Sequence, residues 1–433
     1  MNKTILRLAI PNILSNISVP LLGMVDTALM GRLESEIYLG AIALGSIIFN
    51  FIYWGFAFLR MGTTGMTAQA FGQGNQQESM LIFSRAMTVA LGGGLLLLIM
   101  QSGIGWLGFS ILEGDAEIKQ LARQYFDIRI YAAPATLGLY AFHGWFLGMQ
   151  NARYPLLLTL LVNLMNILFN LLFVFHFDMK ANGVALGTVV AQYIGLVAAI
   201  GLFFYRYRAF IRYHIWTDIL EIGALRRFFG VNADIFIRTI CLVFTFGFFT
   251  SKSASIDALT LAANQVLLQY FHLMAYGVDG FAFAAESLAG KYLGARDLRS
   301  LRRAIRLLFV WGVGLGLLFA LFYLIWGKDL LFIFTNQQHI IAQAQTYLWW
   351  MALIAVGGAV SFMWDGVYIG STATRAMRNT MLIATLGVFL PAFYLSFPTL
   401  GNHGLWLAMT LFMLARGILL GMLASKSIFG QLQ

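Results

Sequence analysis

The run Pro11-Asn-Ile-Leu-Ser-Asn-Ile-Ser-Val-Pro20-Leu-Leu-Gly-Met-Val-Asp26 is an apolar stretch that carries two prolines and one carboxylate. Proline removes a backbone hydrogen bond and kinks a helix. A carboxylate in hydrocarbon costs about 2.5 to 3.5 kcal/mol at a helix centre, so it usually faces protein or a water-filled cavity. An acid that exchanges a proton on a helix that can bend indicates a switch, with Pro11 and Pro20 as its candidate hinges.

The composition of the whole chain places this run in a membrane. Of 433 residues, 60% are hydrophobic and only 11% are charged, and the mean hydropathy is +0.78. Apolar runs of roughly 18 residues or more recur along the whole length, which is typical of membrane-spanning helices. We therefore expect an all-α polytopic membrane protein. The net charge of +10 is attributed to basic cytoplasmic loops, and no nucleic-acid partner is expected.

Twelve membrane-spanning helices are predicted. They cover residues 5–32, 39–68, 80–104, 120–148, 154–177, 183–205, 227–252, 257–289, 304–326, 340–370, 377–397 and 403–425. Segments rich in turn-forming or charged residues separate them, among them Ser251-Lys-Ser-Ala-Ser255 and Thr335-Asn-Gln-Gln338. Most lysines and arginines fall in one set of alternating loops, so the positive-inside rule places both termini in the cytoplasm of a multi-pass protein of the cell (inner) membrane.

The two halves of the chain resemble each other. Phe142-His-Gly-Trp-Phe-Leu-Gly148, followed by Arg153, aligns with Trp364-Asp-Gly-Val-Tyr-Ile-Gly370, followed by Arg375, at an offset of 222. A repeat of six spans places both halves the same way up in the membrane. Parallel repeats of this kind are a transporter architecture, in which the pathway lies between the halves and access alternates by rocking.

The repeat predicts two six-helix lobes and a connecting segment. The N-terminal lobe is expected to cover residues 1–206, the cytoplasmic linker residues 207–226, and the C-terminal lobe residues 227–433. The linker is basic and has no long apolar run. Membrane enzymes need no such symmetry, so the repeat favours transport.

Polar residues of the N-terminal lobe converge at one depth in the outer half of the membrane. Asp26 is on the first predicted span, Thr188 is on the sixth, and Asn163, Asn166 and Asn170 follow the spacing i, i+3, i+7 of one helical face on the fifth. An acid, amides and a hydroxyl at one level make a candidate proton or cation site. The alternative is that the asparagines hold helices together by hydrogen bonds and that Asp26 is their satisfied partner.

The C-terminal lobe carries a balanced set of charges in its spans. They are Asp234, Arg238, Asp279, Asp365 and Arg416. Asp234 and Arg238 are spaced i, i+4 and can pair on one helix. We favour a structural network that holds this lobe together, since buried acids beside arginines stay ionised. The alternative is a second coupling site.

Other polar residues are assigned to anchoring rather than to chemistry. Arg60, Glu286 and the pair Asp127 and Arg129 lie where snorkelling or loop anchoring explains them. The single cysteine, Cys241, excludes an internal disulfide and any cysteine-based metal site. The sequence has no Walker A motif and no His-Glu-x-x-His. We therefore expect no enzyme activity, no metal and no cofactor, and the energy for uphill transport would come from an ion gradient.

Several long stretches resemble the MATE (multidrug and toxic compound extrusion) transporters, especially the DinF branch. The first is Leu8-Ala-Ile-Pro-Asn-Ile-Leu-Ser-Asn-Ile-Ser-Val-Pro-Leu-Leu-Gly-Met-Val-Asp-Thr-Ala-Leu-Met-Gly31. The others are Phe58-Leu-Arg-Met-Gly-Thr-Thr-Gly-Met-Thr-Ala-Gln-Ala-Phe-Gly72, Ala275-Tyr-Gly-Val-Asp-Gly-Phe-Ala-Phe-Ala-Ala-Glu286, and Asp365-Gly-Val-Tyr-Ile-Gly370 with Met377-Arg-Asn379. The resemblance extends in order over essentially the whole chain.

The resemblance implies a cation-coupled exporter with a V-shaped pair of lobes and a drug-sized cavity near a first-span aspartate. Asp26 matches that aspartate, Asn166 matches the fifth-span asparagine and Thr188 matches the sixth-span threonine. Asn170 stands where many members carry a second aspartate, which favours a single-proton site over a two-carboxylate sodium site. Asp365 resembles the span-ten acid of the sodium-coupled branch, but span seven has no glutamate to partner it.

The sequence therefore predicts a monomeric, proton-coupled antiporter that exports amphipathic or cationic organic compounds by alternating access. Protonation of Asp26 would change its hydrogen bonds to Asn166, Asn170 and Thr188, and the first helix would bend. A sodium-coupled exporter stays open as an alternative. So does a flippase of a related two-lobed fold that moves lipid-linked precursors, which a cavity rich in arginine would favour.

Overall fold

The computed structural model describes residues 1–30 and 36–432, and the side chains of residues 26–30, 36 and 216 lie outside the description. The described residues are almost entirely helical and form no β-strand. The seventeen α-helices are α1 (Asn2–Met30), α2 (Glu36–Gly55), α3 (Ala57–Gly72), α4 (Gln76–Ile99), α5 (Gln101–Ile111), α6 (Ala116–Arg129), α7 (Ala133–Gly148), α8 (Arg153–Leu171), α9 (Lys180–Tyr207), α10 (Trp216–Ile219), α11 (Ile222–Ile256), α12 (Ala258–Gly294), α13 (Leu298–Phe334), α14 (Gln338–Gly370), α15 (Thr374–Leu382), α16 (Leu390–Leu400) and α17 (Asn402–Ser427).

The helices reproduce the twelve predicted spans and confirm the all-α membrane class. Ten described helical stretches are long and apolar enough to cross a membrane. The stretches 116–148 and 258–294, which carry more polar residues, complete the twelve. Four spans combine two helices, since only short irregular, 3-10 or π-helical segments separate α2 from α3, α4 from α5, α6 from α7 and α15 from α16.

One predicted break between spans is wrong. The segment Ser251-Lys-Ser-Ala-Ser255 was expected to be a turn, but α11 continues through it to Ile256. The hydroxyl of Ser253 donates to the carbonyl of Phe249 at 2.9 Å, and that of Ser255 donates to the carbonyl of Lys252 at 2.8 Å. Serine accommodates itself in a helix by this back-bonding to the preceding turn. The break predicted at Thr335-Asn-Gln-Gln338 is confirmed, because α13 ends at Phe334 and α14 begins at Gln338.

The chain divides into two compact units. The N-terminal unit comprises Leu14–Phe229, and the C-terminal unit comprises Gly230–Gln433 together with Met1–Ile13. The first residues of α1 thus group with the second half of the chain. Within the C-terminal unit, Gly280 lets α12 approach the carbonyl of Ala9 and the amide of Ile13, because a Cβ on Gly280 would lie 3.0 and 2.9 Å from those atoms.

The internal repeat is visible in how helices pack within each unit. In the N-terminal unit, a Cβ on Gly144 of α7 would lie 2.5 Å from the carbonyl oxygen of Arg60 on α3. In the C-terminal unit, Gly366 of α14 faces the carbonyl of Ala282 on α12 in the same way. Both members of the contact are offset by 222. Such close backbone approach through small residues is a common way to pack helices in membranes.

The left-handed backbone positions repeat as well. Gln150 (φ 61°) and Thr372 (φ 50°) follow α7 and α14, and Gly74 (φ 70°) and Arg296 (φ 54°) follow α3 and α12. Each pair is again offset by 222. Non-glycine residues adopt a positive φ uncommonly, so its recurrence at matching positions supports a shared ancestral turn geometry.

Replacing Gly144 with valine should destabilise the protein by about 1–3 kcal/mol, because the added atoms overpack the contact between α7 and α3. The measurement is the temperature at which detergent-purified protein loses its monodisperse peak in size-exclusion chromatography. The control is Gly201→Val on α9, where an added Cβ meets nothing within 4 Å. Equal melting temperatures for both variants would refute the close packing at Gly144.

The segment predicted to be a linker packs on the N-terminal unit as ordered structure. Arg85 of α4 is buried, and its Nη2 donates to the carbonyl of Asp218 at 2.7 Å. Its Nε donates to the carbonyl of Ile219 at 3.2 Å, and its Nη1 pairs with Glu78 at 3.2 Å. One guanidinium thus binds the last carbonyls of the short helix α10, a stabilising place for a cation.

The core of the N-terminal unit is an aromatic cluster between α4, α7 and α9. Phe83, Phe142, Trp145, Phe203 and Tyr207 are all buried there with neighbouring rings at 4.9 to 6.4 Å. The indole of Trp145 also donates to the carbonyl of the α4 residue Ser79 at 2.8 Å. This cluster fixes α9, one of the helices on which the polar site described below is built.

Candidate functional site

The predicted polar residues of the fifth and sixth spans form a hydrogen-bonded chain. The amide of Asn170 donates to Oδ1 of Asn166 at 2.9 Å, and the amide of Asn166 donates to the hydroxyl of Thr188 at 3.0 Å. The hydroxyl of Thr188 donates in turn to the carbonyl of Val184 at 2.9 Å. Asn166 and Asn170 are buried, and Thr188 is half-buried. The structure therefore brings three of the four predicted coupling residues together.

A glycine makes this chain possible. Gly187 on α9 lies against the side chain of Asn170 on α8, so that a Cβ at Gly187 would clash with it. The spacing of Asn166 and Asn170 places both amides on one face of α8. With Gly187 next to Thr188, α9 comes close enough for its hydroxyl to complete the chain.

A third asparagine of the same face joins α8 to α1. The amide of Asn163 donates to the carbonyl of Ser18 at 3.2 Å and lies 3.1 Å from its hydroxyl. The hydroxyl of Ser18 donates to the carbonyl of Ser15 at 2.7 Å. This contact holds α1 against α8 two residues before Pro20, one of the two predicted hinges.

Asn163, Asn166 and Thr188 line a cavity of about 350 Å³ in the N-terminal unit. Its apolar wall comes from α1, α2, α8 and α9, and its polar residues are Ser46, Tyr125, Arg129, Asn163, Asn166, Thr188 and Gln192. The volume falls in the range of small-molecule sites, about 300–1,000 Å³, and a mostly apolar lining with a few convergent polar groups is their usual composition.

Sequence reasoning missed Ser46, Tyr125 and Gln192 of this cavity and misassigned its charged residue. Arg129 was attributed to anchoring near the interface, but it lines the cavity. Its Nη1 donates to the hydroxyl of Ser46 at 3.0 Å and to that of Tyr125 at 2.6 Å. Asp127, expected beside it, instead binds Arg123 at 2.9 Å. The sequence signal that could have identified Arg129 is its position one helical turn after Tyr125.

The fourth predicted coupling residue, Asp26, is on α1, but its side chain lies outside the described residues. Leu22 and Gly23, four and three residues before it, line the cavity. Pro11 and Pro20 are both within α1. They cannot donate to the carbonyls of Arg7 and Asn16, so the helix is weaker at these two places. Hinge motion at either proline stays a prediction.

The C-terminal unit holds a buried ion cluster centred on Asp365. Its Oδ2 accepts from Nη2 of Arg416 at 2.5 Å and also from Nη2 of Arg238. All three side chains are buried. The guanidinium of Arg416 also lies 5.4 Å from the ring centre of Phe412, a cation–π contact.

Asp234 belongs to a separate pair, so its predicted pairing with Arg238 is wrong. Its Oδ1 accepts from Nη1 of Arg378 at 2.6 Å, and its Oδ2 accepts from the hydroxyl of Thr374 at 2.9 Å. The spacing i, i+4 allowed the local pair, but α15 offers a charge-assisted bond of better geometry. Asp279 interacts electrostatically with Arg416. The three acids Asp234, Asp279 and Asp365 are thus matched by three arginines, Arg238, Arg378 and Arg416.

No metal centre emerges from the described part of the chain, where no three His, Cys, Asp or Glu side chains come together. The expectation that the protein uses no cofactor stays a prediction.

Comparison with known proteins gives the family. A sequence model of the MatE family matches residues 11–172 and 235–395. The chain is 37% identical over 426 residues to DNA damage-inducible protein F of Escherichia coli (strain K12). The alignment covers 96% of this chain and 90% of that protein. It is 22% identical over 433 residues to multidrug resistance protein MdtK of Edwardsiella ictaluri (strain 93-146), covering 97% and 94%.

Solved structures have the same fold. One is an outward-facing multidrug resistance MATE family transporter of the MOP superfamily, with a TM-score of 0.89 and 18% identity over 99% of this chain and 96% of that chain. The matching relatives are transporters rather than enzymes. The chain therefore belongs to the MatE family of multi-pass membrane transporters, the multidrug and toxic compound extrusion proteins.

Proposed function

We propose that this protein is a proton-coupled antiporter that exports amphipathic or cationic organic compounds. The observation that carries the proposal is the cavity beside α1, because Asn166 and Thr188 of the hydrogen-bonded chain Asn170–Asn166–Thr188 line it. Asp26 follows the cavity residue Leu22 by four positions, one helical turn. A carboxyl group at that level would exchange hydrogen bonds with the chain when it gains or loses a proton.

The mechanism we propose couples that proton to a bend of α1. An ionised Asp26 attracts a cationic substrate and accepts hydrogen bonds, whereas the protonated acid no longer attracts the cation and donates one. The contact between Asn163 and Ser18 fixes α1 just before Pro20. A new hydrogen-bond pattern at Asp26 would shift α1 about Pro11 or Pro20, shrink the cavity and expel the substrate.

A proton suits this site better than sodium. Hard cations take several oxygen ligands, preferably carboxylates. The described residues of the cavity include no carboxylate. The amide group of Asn170 donates to Asn166, whose oxygen is therefore already used. Asp26 would be the one acid at the site, which is enough for a proton.

The C-terminal cluster supports the same assignment. Two guanidiniums bind one oxygen of Asp365, so this acid stays ionised and its charge is already matched. We therefore propose a structural role for Asp234, Arg238, Asp279, Asp365 and Arg416. The alternative, a second coupling site, requires Asp365 to release both arginines.

The flippase alternative finds less support. A pyrophosphate-linked lipid calls for several cations around its headgroup. The cavity has a single charged side chain among its described lining residues, Arg129.

We further propose that the protein is a monomer in the cell (inner) membrane. Both termini are proposed to be cytoplasmic, because the positive-inside rule assigns the loops rich in lysine and arginine to the cytoplasmic side.

The test is efflux of a fluorescent organic cation from proteoliposomes under imposed gradients. We expect a proton gradient to drive efflux against the cation's concentration gradient and a sodium gradient at equal pH to have no effect. The control is empty liposomes under the same gradients, which corrects for leakage. Stimulation by sodium alone would overturn the ion assignment, and no efflux under either gradient would overturn the function.

A further inference from the structure

Arg129 is a positive charge on the wall of the cavity, held in place by neutral groups. Its guanidinium carbon lies 4.7 Å from the ring centre of Phe49 and 5.5 Å from that of Tyr125. Its Nη1 is used by the hydroxyls of Ser46 and Tyr125. No acidic side chain of the described residues forms an ion pair with it, since Asp127 is bound to Arg123.

These contacts orient the guanidinium without neutralising it. Stacking on Phe49, which itself packs on Phe126 at 5.2 Å, restricts the side chain. Arginine presents five N–H donors in a rigid fork. Two bonds to hydroxyls occupy Nη1, so Nη2 and Nε have donors to spare. The side chain is half-buried and lines the cavity, where a charge is screened less than in bulk water.

The other polar groups of the cavity can also donate hydrogen bonds to a ligand. Asn163, Asn166 and Gln192 carry amide N–H groups, Ser46 and Thr188 carry hydroxyls, and Arg129 is the one charged residue among the described lining. A wall with a guanidinium and no described carboxylate favours an anionic ligand group. A carboxylate fits the fork of arginine best, because two parallel N–H···O bonds can form.

We infer that Arg129 binds the carboxylate of zwitterionic amphiphiles, which makes it a determinant of substrate specificity. The inference rests on the proposed function, in which Asp26 attracts the cationic end. One substrate then meets two opposite charges in the same unit. Protonation of Asp26 removes the attraction for the cationic end, so such a substrate is still released in exchange for a proton. A purely anionic substrate would instead bind better after protonation, which antiport does not allow.

The test compares two dyes that differ only in the carboxylate. Rhodamine B is a zwitterion at neutral pH, and its ethyl ester is a cation of nearly the same shape. Binding to detergent-purified protein is measured by fluorescence anisotropy, and the result is the ratio of the two Kd values. We expect Arg129→Gln to raise the Kd of rhodamine B by roughly tenfold or more, which corresponds to the loss of a charge-assisted hydrogen bond. The Kd of the ester should stay the same or fall.

Two further variants keep the test independent of folding. Arg129→Lys retains the charge but loses the fork, so the ratio should fall between wild type and Arg129→Gln. Arg123→Gln, six residues earlier on α6, removes an arginine that is 33% exposed and already paired with Asp127, and should not change the ratio. Equal weakening of both dyes, or of neither, would overturn the inference.

Transport separates this inference from the proposed function. If wild-type protein exports the ester under a proton gradient but Arg129→Gln leaves the dye ratio unchanged, the antiporter stands and the role of Arg129 falls. If wild-type protein exports neither dye but Arg129→Gln shifts the binding ratio, the carboxylate site stands and the antiporter falls.

Discussion

Replacing Asp365 with asparagine should destabilise the C-terminal unit by about 3–5 kcal/mol, enough to remove most folded protein from the membrane. The reason is that Arg238 and Arg416 share this one carboxylate and are themselves buried. Asparagine keeps the shape of the side chain but deprives Arg238 and Arg416 of the carboxylate that they share. The measurement is the yield of monodisperse protein and its melting temperature in detergent. Asp329→Asn, an exposed acid of the same unit, is the control.

A compensated variant separates loss of charge balance from loss of the residue. Substituting Arg238→Met, Asp365→Leu and Arg416→Met together removes every charge of the cluster and keeps its volume. Replacing a buried ion cluster by packed apolar residues is often neutral for stability, so the triple variant should melt near the wild type. Wild-type stability of Asp365→Asn alone would contradict the account of the cluster.

The triple variant also decides between the two roles considered for this cluster. A structural network predicts that the triple variant still exports a cation under a proton gradient. A second coupling site predicts a folded protein without driven export. Since the described cluster holds both arginines on one carboxylate oxygen, we expect export to persist.

The architecture was readable from the sequence because its signals are local. Apolar length marks the spans, and the matching glycines of 142–148 and 364–370 mark the contacts that bring helices of each half together. The faces of α8 follow from spacing alone, which is why Asn166 and Asn170 were found. The serines at 251–255 misled because their hydroxyls bond to the helix that they were expected to end.

Partners distant in sequence were not readable. Asp234 binds Arg378, 144 positions away, although Arg238 is four positions away on the same helix. The i, i+4 spacing favoured Arg238, and only the folded position of α15 brings Arg378 to Asp234. Arg129 was misassigned for a related reason. Its position near the start of a span suggested the interface, whereas Ser46 and Phe49 of α2 turn it toward a cavity.

Replacing Asp26 with asparagine should abolish proton-driven export while the protein remains folded. The amide keeps the size and most hydrogen bonds of the acid but cannot exchange a proton near neutral pH. We expect export of the organic cation under a proton gradient to fall to the rate of empty liposomes. Exchange of labelled for unlabelled substrate without a gradient should persist at saturating substrate concentration, because it needs the alternation of access and not the proton; its half-saturating concentration should rise, because the charge that attracts the cation is lost.

The matched control is Asp127→Asn, the same chemical change at an acid of α6 that is 48% exposed and bound to Arg123. It should leave both driven export and exchange at the wild-type level. Full proton-driven export by Asp26→Asn would contradict the mechanism. Loss of exchange at saturating substrate together with loss of driven export would mean that Asp26 is needed for the alternation of access itself, and not only for binding and coupling.

Measuring the protons released on substrate binding tests the role of Asp26 most directly. If substrate and proton compete for Asp26, adding an organic cation to wild-type protein in weakly buffered detergent solution should release protons at a pH where the acid is partly protonated. Asp26→Asn should release none. Asn166→Leu removes the group that joins Asn170 to Thr188, so it should still release protons but over a shifted pH range. A shift at Asn166 and a loss at Asp26 would show that the amide chain adjusts the acid on which coupling depends.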